Sequence, residues 1–378
     1  MTIAGNKGEW SEIYAFLRLL ADGKLFAADE GLNRNKDMYF PIIKIIREET
    51  RGILLEYQPN TETAEVEIHL NGRQMLKMPA TDFDTEAKRL LREIKDGEGR
   101  SFEFPETEAF IRNIHVKKLK APSSDKSDIN IRIHDVQTGY EGDVGFSIKS
   151  VLGSPSTLLN PSNATNFIYR VKGLDSGMAS EINLIDPGDT VELAIDRNIV
   201  SKINSIDTHR KLKDRIRAIM ANGGELIFHS MENDTFRENL MMIDGQMPQI
   251  VATMLMGYYT EAGTSCVKLS EYVSKIDPLK RSKKNYLHNI REMLSAVALG
   301  MKPTAEWNGE DEASGGYIVV KSDGDVLAYH IYNRDAFKSY LLNNTKFDSA
   351  TNNRFGHCIL YEEEGELRIK LNLQIRFI

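Results

Sequence analysis

Cysteine is nearly absent from this 378-residue chain: Cys266 and Cys358 are the only two, and no CxxC pair occurs. A disulfide framework or a thiolate zinc site has no material to build on, and a reducing, cytoplasmic setting is expected. No run approaches eighteen uncharged apolar residues, so no membrane-spanning helix is expected. The opening residues, Met1 to Trp10, contain no apolar signal region, so export is not expected either. Also missing are a Walker loop, a GxGxxG turn after a strand, an HExxH helix and a GxSxG elbow. Their absence removes the sequence basis for nucleotide-binding, zinc-peptidase and serine-hydrolase readings. Positive charge is not in excess: 48 Lys and Arg face 55 Asp and Glu, a net charge of −7. That total does not exclude DNA, because binding needs only a local basic surface and a nuclease needs carboxylates for metal.

The chain does contain a globular composition, 41% hydrophobic and 27% charged, with length enough for one extended domain or two ordinary ones. Its basic residues cluster in three places: Lys117-Lys118-Leu119-Lys120, Arg210 to Arg217, and Lys280 to Lys284. Each cluster taken alone reads most simply as a solvated face. Trp10, Ile13, Phe16, Leu17 and Leu20 recur at helical spacing and predict a helix over 9–21, ended by Asp22-Gly23. Helices are also expected near 38–48 and over 81–96, with strands at 52–57 and 64–70 joined through Asn60 and Thr61. Residues 121–127 form a loop by composition. Ile129, Ile131 and Ile133 alternate with polar residues, the pattern of a half-buried strand; a turn over 138–142 leads to a second strand, Gly145 to Ser150. Residues 155–164 read as a short helix or a Ser/Asn-rich loop before a strand at 167–171. The middle, 205–300, is expected to be mainly helical, its Met-rich run from Met241 to Met256 forming a deformable core. The tail returns to β at 316–320, 326–332, 357–362 and 367–377, with a helix near 335–343. The expected class is α/β in the broad sense (α+β), a mixed sheet flanked by helices. A soft boundary separates a core over 1–200 from a helical and β-rich portion over 201–378.

Phosphodiester hydrolysis needs a divalent cation to neutralise charge and activate water, plus a protein cation near the attacking oxygen. Mg²⁺ takes oxygen ligands, usually one or two carboxylates beside waters and phosphate. Asp128 opens the Ile-alternating strand, and Ser147 and Lys149 share one face of the next strand while Phe146 and Ile148 take the other. This arrangement brings a carboxylate beside an ammonium. Glu12 lies one helical turn before Phe16 and two before Leu20, at the apolar face of its helix, where a carboxylate is costly unless it is paired or binds a cation. The alternative is that it reaches solvent or an arginine at the margin of the stripe.

Asp128…Ser147-Ile148-Lys149, preceded by Gly8 to Glu12, resembles the PD-(D/E)XK nuclease core. Longer strings are more specific. Gly8 to Lys24 (GEWSEIYAFLRLLADGK), Gly145 to Asn160 (GFSIKSVLGSPSTLLN) and Ala164 to Phe167 resemble the HpaII family of type II restriction endonucleases. So do Tyr329 to Asp335 (YHIYNRD), Asn343 to Lys346 and the ending Lys370 to Phe377 (KLNLQIRF), so the resemblance runs from end to end. It implies Mg²⁺-dependent cleavage of double-stranded DNA at CCGG or a site containing it, leaving 5′-phosphates. Asp128 would be the metal-binding carboxylate, Lys149 the catalytic lysine and Glu12 the helical acid completing the metal site. Ser147 departs from the superfamily, which carries an acid there, and Ser147 is expected to bind a water or the phosphate. No acid occurs between Lys149 and Asp175, so the second carboxylate is Glu12, or else Glu141 or Asp143 of the hairpin; Asp135 is the alternative to Asp128.

DNA contacts are expected from the polar segment holding Ser154, Ser156, Thr157, Asn160, Asn163 and Asn166, suited to phosphates and base edges. Arg281, Lys283, Lys284, Arg334 and Arg354 are the candidates for reading guanine. His330 and His357 read as structural, since nothing pairs them as a nucleophile and base. A palindromic target is matched most simply by a homodimer. Two other readings share these residues: a structure-specific repair or recombination nuclease of the same core, and a DNA-binding protein whose active site has decayed at Ser147.

Overall fold

Asn6 starts the first helix, α1 (Lys7–Asp22), with a reciprocal cap: its side chain accepts the Glu9 N–H while Glu9 accepts the Asn6 N–H. Gly23 ends the helix in the left-handed conformation that an L side chain resists. The helix is buried nearly all round, from Trp10 and Ser11 through Leu20, so its few charged residues stand out. The structure is a computed structural model and describes residues 2–120, 127–136, 139–153, 155–183, 208–330, 334–350 and 354–378. The chain divides into two units. The first comprises Met1–Ser156, Ala298–Gly300 and Asp311–Tyr340; the second comprises Thr157–Val297, Met301–Glu310 and Leu341–Ile378.

In the first unit, β1 (Lys24–Ala28), β2 (Arg34–Thr50), β3 (Ile53–Asn60), β4 (Glu65–Leu70) and β5 (Arg73–Pro79) precede α2 (Ala80–Asp96) and α3 (Pro105–Asn113). Then come β6 (Ile129–His134), β7 (Glu141–Ser150), β8 (Gly316–Val320) and β9 (Val326–His330). They form one mixed sheet in the order β1-β9-β8-β7-β6-β2-β3-β4-β5. The β7–β8 and β9–β1 pairs are parallel, and the others antiparallel. A further β1–β2 pairing closes the first six strands on themselves, which the length of β2 permits. Trp10, Phe16, Tyr57, Phe83, Ile131 and Phe146 lie in the continuous core that α1, α2 and this sheet enclose.

The helix expected near 38–48 is instead the middle of β2. Ile42, Ile43, Ile45 and Ile46 fall at helical spacing, yet β-branched residues beside Pro41 favour extended backbone. A register shift between Ile42 and Lys44 moves the buried phase from Phe40 and Ile42 to Ile45, Arg47 and Glu49. Two runs of alternation thus overlapped to imitate a helix. The hairpin β6–β7 forms as expected, with Ile129 opposite Phe146. Thr138 of its turn lies outside the described residues, as do Ala121–Lys126 of the preceding loop and Ile331–Asn333 after β9.

The second unit contains a four-stranded sheet, in the order Glu225–Met231, Asn166–Lys172, Glu366–Asn372, Leu360–Glu363, and a three-stranded sheet of Thr157–Leu159, Gln374–Phe377 and Thr345–Asp348. The expected helical middle is present, with the strand Glu225–Met231 inside it. Residues 155–164 form neither alternative outright: a strand at Thr157–Leu159 is followed by a 3₁₀ turn at Asn163–Thr165. Met247 and Met254 are fully buried on the helix Met247–Tyr259, whereas Met241 and Met242 are exposed, so only part of the methionine run packs the core. No helix among the described residues is long and apolar enough to cross a membrane.

Candidate active site

β6 and β7 place the first two groups. Asp128 stands just before β6, and its N–H donates to the Phe146 carbonyl. Its carboxylate Oδ2 accepts the Ile148 N–H at 2.7 Å and the Ser147 hydroxyl at 3.2 Å. The Ser147 hydroxyl thus helps to hold the Asp128 carboxylate at the position where the superfamily carries its own acid. Among the described residues Oδ1 has no hydrogen-bond partner, so one oxygen is clamped and the other is available. Lys149 follows two residues after Ser147 on the same face and lines the adjoining cleft.

α1 brings the third group. Glu12 is nearly buried, its side chain 14% exposed, with Lys120 Nζ at 3.9 Å from Oε1. Burial, and then the neighbouring Asp128 charge, push this carboxyl up to about 8, against the pull of Lys120 and Lys149. The raised carboxyl thus lies within electrostatic reach of a second acid and two lysines. The groups border a cleft of about 790 Å³ lined by Glu12, Lys149 and Lys120, with Arg100, Ser156 and the first turn of α1. All of it belongs to the first unit.

The other acids stand apart. Glu141 and Asp143 lie toward the opposite end of the hairpin, bonded to His134 at 3.0 Å and, in a fork, to Arg132 at 2.7 Å. Asp135 is buried just past the far end of β6, roughly 20 Å along the strand from Asp128. Among the described residues no three His, Cys, Asp or Glu side chains gather to hold a metal ion. A two-carboxylate site for a hard cation that keeps several waters is what Asp128 and Glu12 can build.

The expected DNA-contact residues separate into several environments. Ser156 lines the cleft, and Asn160, Asn163, Lys283 and Lys284 are exposed, with Thr157 half-buried. Asn166 is fully buried: its amide donates to Glu232 at 2.6 Å and the Phe355 carbonyl at 2.8 Å, and accepts from Asn372. Its side chain is consumed inside the second unit and has none left for a base. Arg281 pairs with Asp244 at 2.8 Å, and Arg334 with Asp311. Ser154 and the Arg354 side chain lie outside the described residues. His330 is buried between the Phe40 and Phe146 rings, and burial holds it down to about 4; buried His357 meets the Ala350 carbonyl. Both environments are structural.

Two contributors were not evident in sequence. Lys120 was visible only as one of a basic run. Gly145 is required by close approach, since a Cβ there would sit 2.6 Å from the Ser127 Cβ, next to Asp128.

No solved structure matches the chain. The type II restriction enzyme HpaII of Haemophilus parainfluenzae is 37% identical over 382 residues, which span 99% of this chain and 99% of that protein. The model of the family described as HpaII restriction endonuclease matches residues 6–377. With Glu12 and Lys149 lining one cleft, Asp128 acting on the Glu12 charge, and that similarity over its whole length, the chain belongs to the HpaII family of type II restriction endonucleases, site-specific deoxyribonucleases that bind DNA.

Proposed function

We propose that the chain hydrolyses double-stranded DNA at CCGG, or at a longer site containing it, using Mg²⁺ and leaving 5′-phosphates. The observation that carries this reading is the buried Glu12 carboxyl facing Asp128 and Lys149 at the edge of an open cleft. Asp128 and Glu12 would hold the cation, in a Ser-x-Lys variant of the PD-(D/E)XK site. When bound, the cation supplies charge neutralisation at the phosphate and a more acidic water. Asp128 is held ready by the Ile148 N–H and the Ser147 hydroxyl, so it keeps one geometry as DNA arrives. Lys149 offsets the charge that builds on the phosphate oxygens and orients or deprotonates the attacking water. The first unit carries this chemistry, and the second supplies recognition or a homodimer surface, with Lys283, Lys284, Asn160 and Asn163 as exposed candidates for DNA contact. A two-fold dimer matches a palindromic site.

The test is digestion of a sequenced plasmid with Mg²⁺, followed by mapping of the ends. Discrete fragments ending within CCGG support the proposal, and fragments ending elsewhere revise the site. Cleavage restricted to branched DNA replaces the proposal with the structure-specific reading, and specific binding without any cleavage replaces it with the decayed one. Lys149→Ala is expected to abolish cleavage while retaining specific binding; a variant that still cuts at the wild-type rate removes Lys149 from the mechanism.

A further inference from the structure

The basic run Lys117–Lys120 reaches the cleft at Lys120, and the mechanism above uses none of it. Its backbone is held from beneath by an ion pair on β2. Arg47 and Glu49 are 5% and 1% exposed and bond to each other at 2.9 Å. Arg47 Nη2 donates to the Lys118 carbonyl at 2.8 Å, and Glu49 accepts the Lys117 N–H at 2.9 Å. Val116 and Leu119 are buried on either side. A buried ion pair is a poor source of net stability, because desolvation offsets its attraction. This one spends its remaining hydrogen bonds on two consecutive residues of a basic segment. The segment ends in Lys120, which is 61% exposed, lines the cleft and stands 3.9 Å from Glu12.

We propose that Lys120 is a DNA-phosphate contact beside the scissile position, and that the buried Arg47–Glu49 pair is its positioning device. The inference rests on the nuclease reading of this cleft. Without a cation Lys120 is the partner of Glu12. With Glu12 engaged in holding a cation, the Lys120 ammonium would be left to pair with a phosphodiester oxygen of the bound duplex. An exposed lysine on a loose loop would lose much of its contact energy in ordering; pinned backbone lowers that cost.

The test compares wild type with Lys120→Ala, Lys120→Arg and Arg47→Lys, using Lys88→Ala on α2 as a control. Binding to a CCGG duplex is measured against salt with Ca²⁺ in place of Mg²⁺, and single-turnover cleavage with Mg²⁺. Lys120→Ala should lower the slope of log affinity against log salt by about one and slow cleavage by about tenfold, with the slope restored in Lys120→Arg. Arg47→Lys keeps the charge but loses the fork; with an unchanged thermal melt it should lose the same slope, and adding Lys120→Ala to it should have little further effect. If Arg47→Lys melts early, the Lys120 pair alone decides. A wild-type slope and rate in Lys120→Ala overturns the proposal. Lys149→Ala separates the two failures: if it is inactive while Lys120→Ala is normal, only this inference falls, and if it cuts normally the cleft reading falls first.

Discussion

At the scale of single residues, Glu12 shows how burial can signal function. Its carboxyl sits at about 8, above its ordinary 4.5, because burial and Asp128 oppose its charge. A raised acid costs nothing below pH 4.5, where it is protonated folded or unfolded. The cost grows as pH rises toward 8 and is complete above it, on the order of 5 kcal/mol. Glu12→Gln should therefore raise the melting temperature of the metal-free protein at pH 8.5 and leave it unchanged at pH 4.5. Millimolar Mg²⁺ should narrow the gap at pH 8.5 by stabilising the wild type. Equal melting of both proteins at pH 8.5 without metal would mean that the carboxyl is not strained. Asn166 teaches the opposite lesson. A polar residue in a polar segment suggested a base contact, but its amide is fully used inside the protein. Asn166→Ala should lower stability in urea by about 2–3 kcal/mol, since it leaves buried partners unpaired, and should leave the cleavage site unaltered. A changed site preference at wild-type stability would return it to the DNA surface.

At the scale of elements, the hairpin β6–β7 was legible because both strands alternate cleanly and the acid and the lysine follow from period two. β2 was not, because a register shift near Ile42 joins two phases of alternation. Sequence periodicity alone cannot separate such a shift from a helical stripe. Nor does periodicity reveal how closely two backbones approach. Gly145 faces Ser127, and an added methyl would meet its Cβ at 2.6 Å and Oγ at 2.7 Å. Gly145→Ala must push the residue before Asp128 aside. Small displacements of a reacting group are costly, so single-turnover cleavage should fall by about a hundredfold while the far-ultraviolet spectrum is kept. An unaffected rate would show that the start of β6 tolerates movement.

At the scale of the whole molecule, a cation bound by Asp128 and Glu12 stabilises only the elements that carry them. Adding Mg²⁺ should slow amide exchange in α1 and in the β6–β7 hairpin, whose β7 strand clamps Asp128, and leave the helix Met247–Tyr259 of the second unit unchanged; uniform protection, or none, would contradict a site confined to the first unit. The linear sequence was sufficient for the mixed α and β class, for the Asp128–Lys149 hairpin and for family membership, because these depend on local alternation and on residue strings that stay contiguous. Tertiary structure alone decided three things: that β8 and β9, nearly 170 residues after β7, enter the same sheet as the hairpin; that Glu12 is buried facing Asp128 rather than turned to solvent; and that Arg47 and Glu49 fix the backbone leading to Lys120. Each depends on distant segments excluding water from one another, and hydrophobic burial carries no mark in the sequence of which distant segment will supply it.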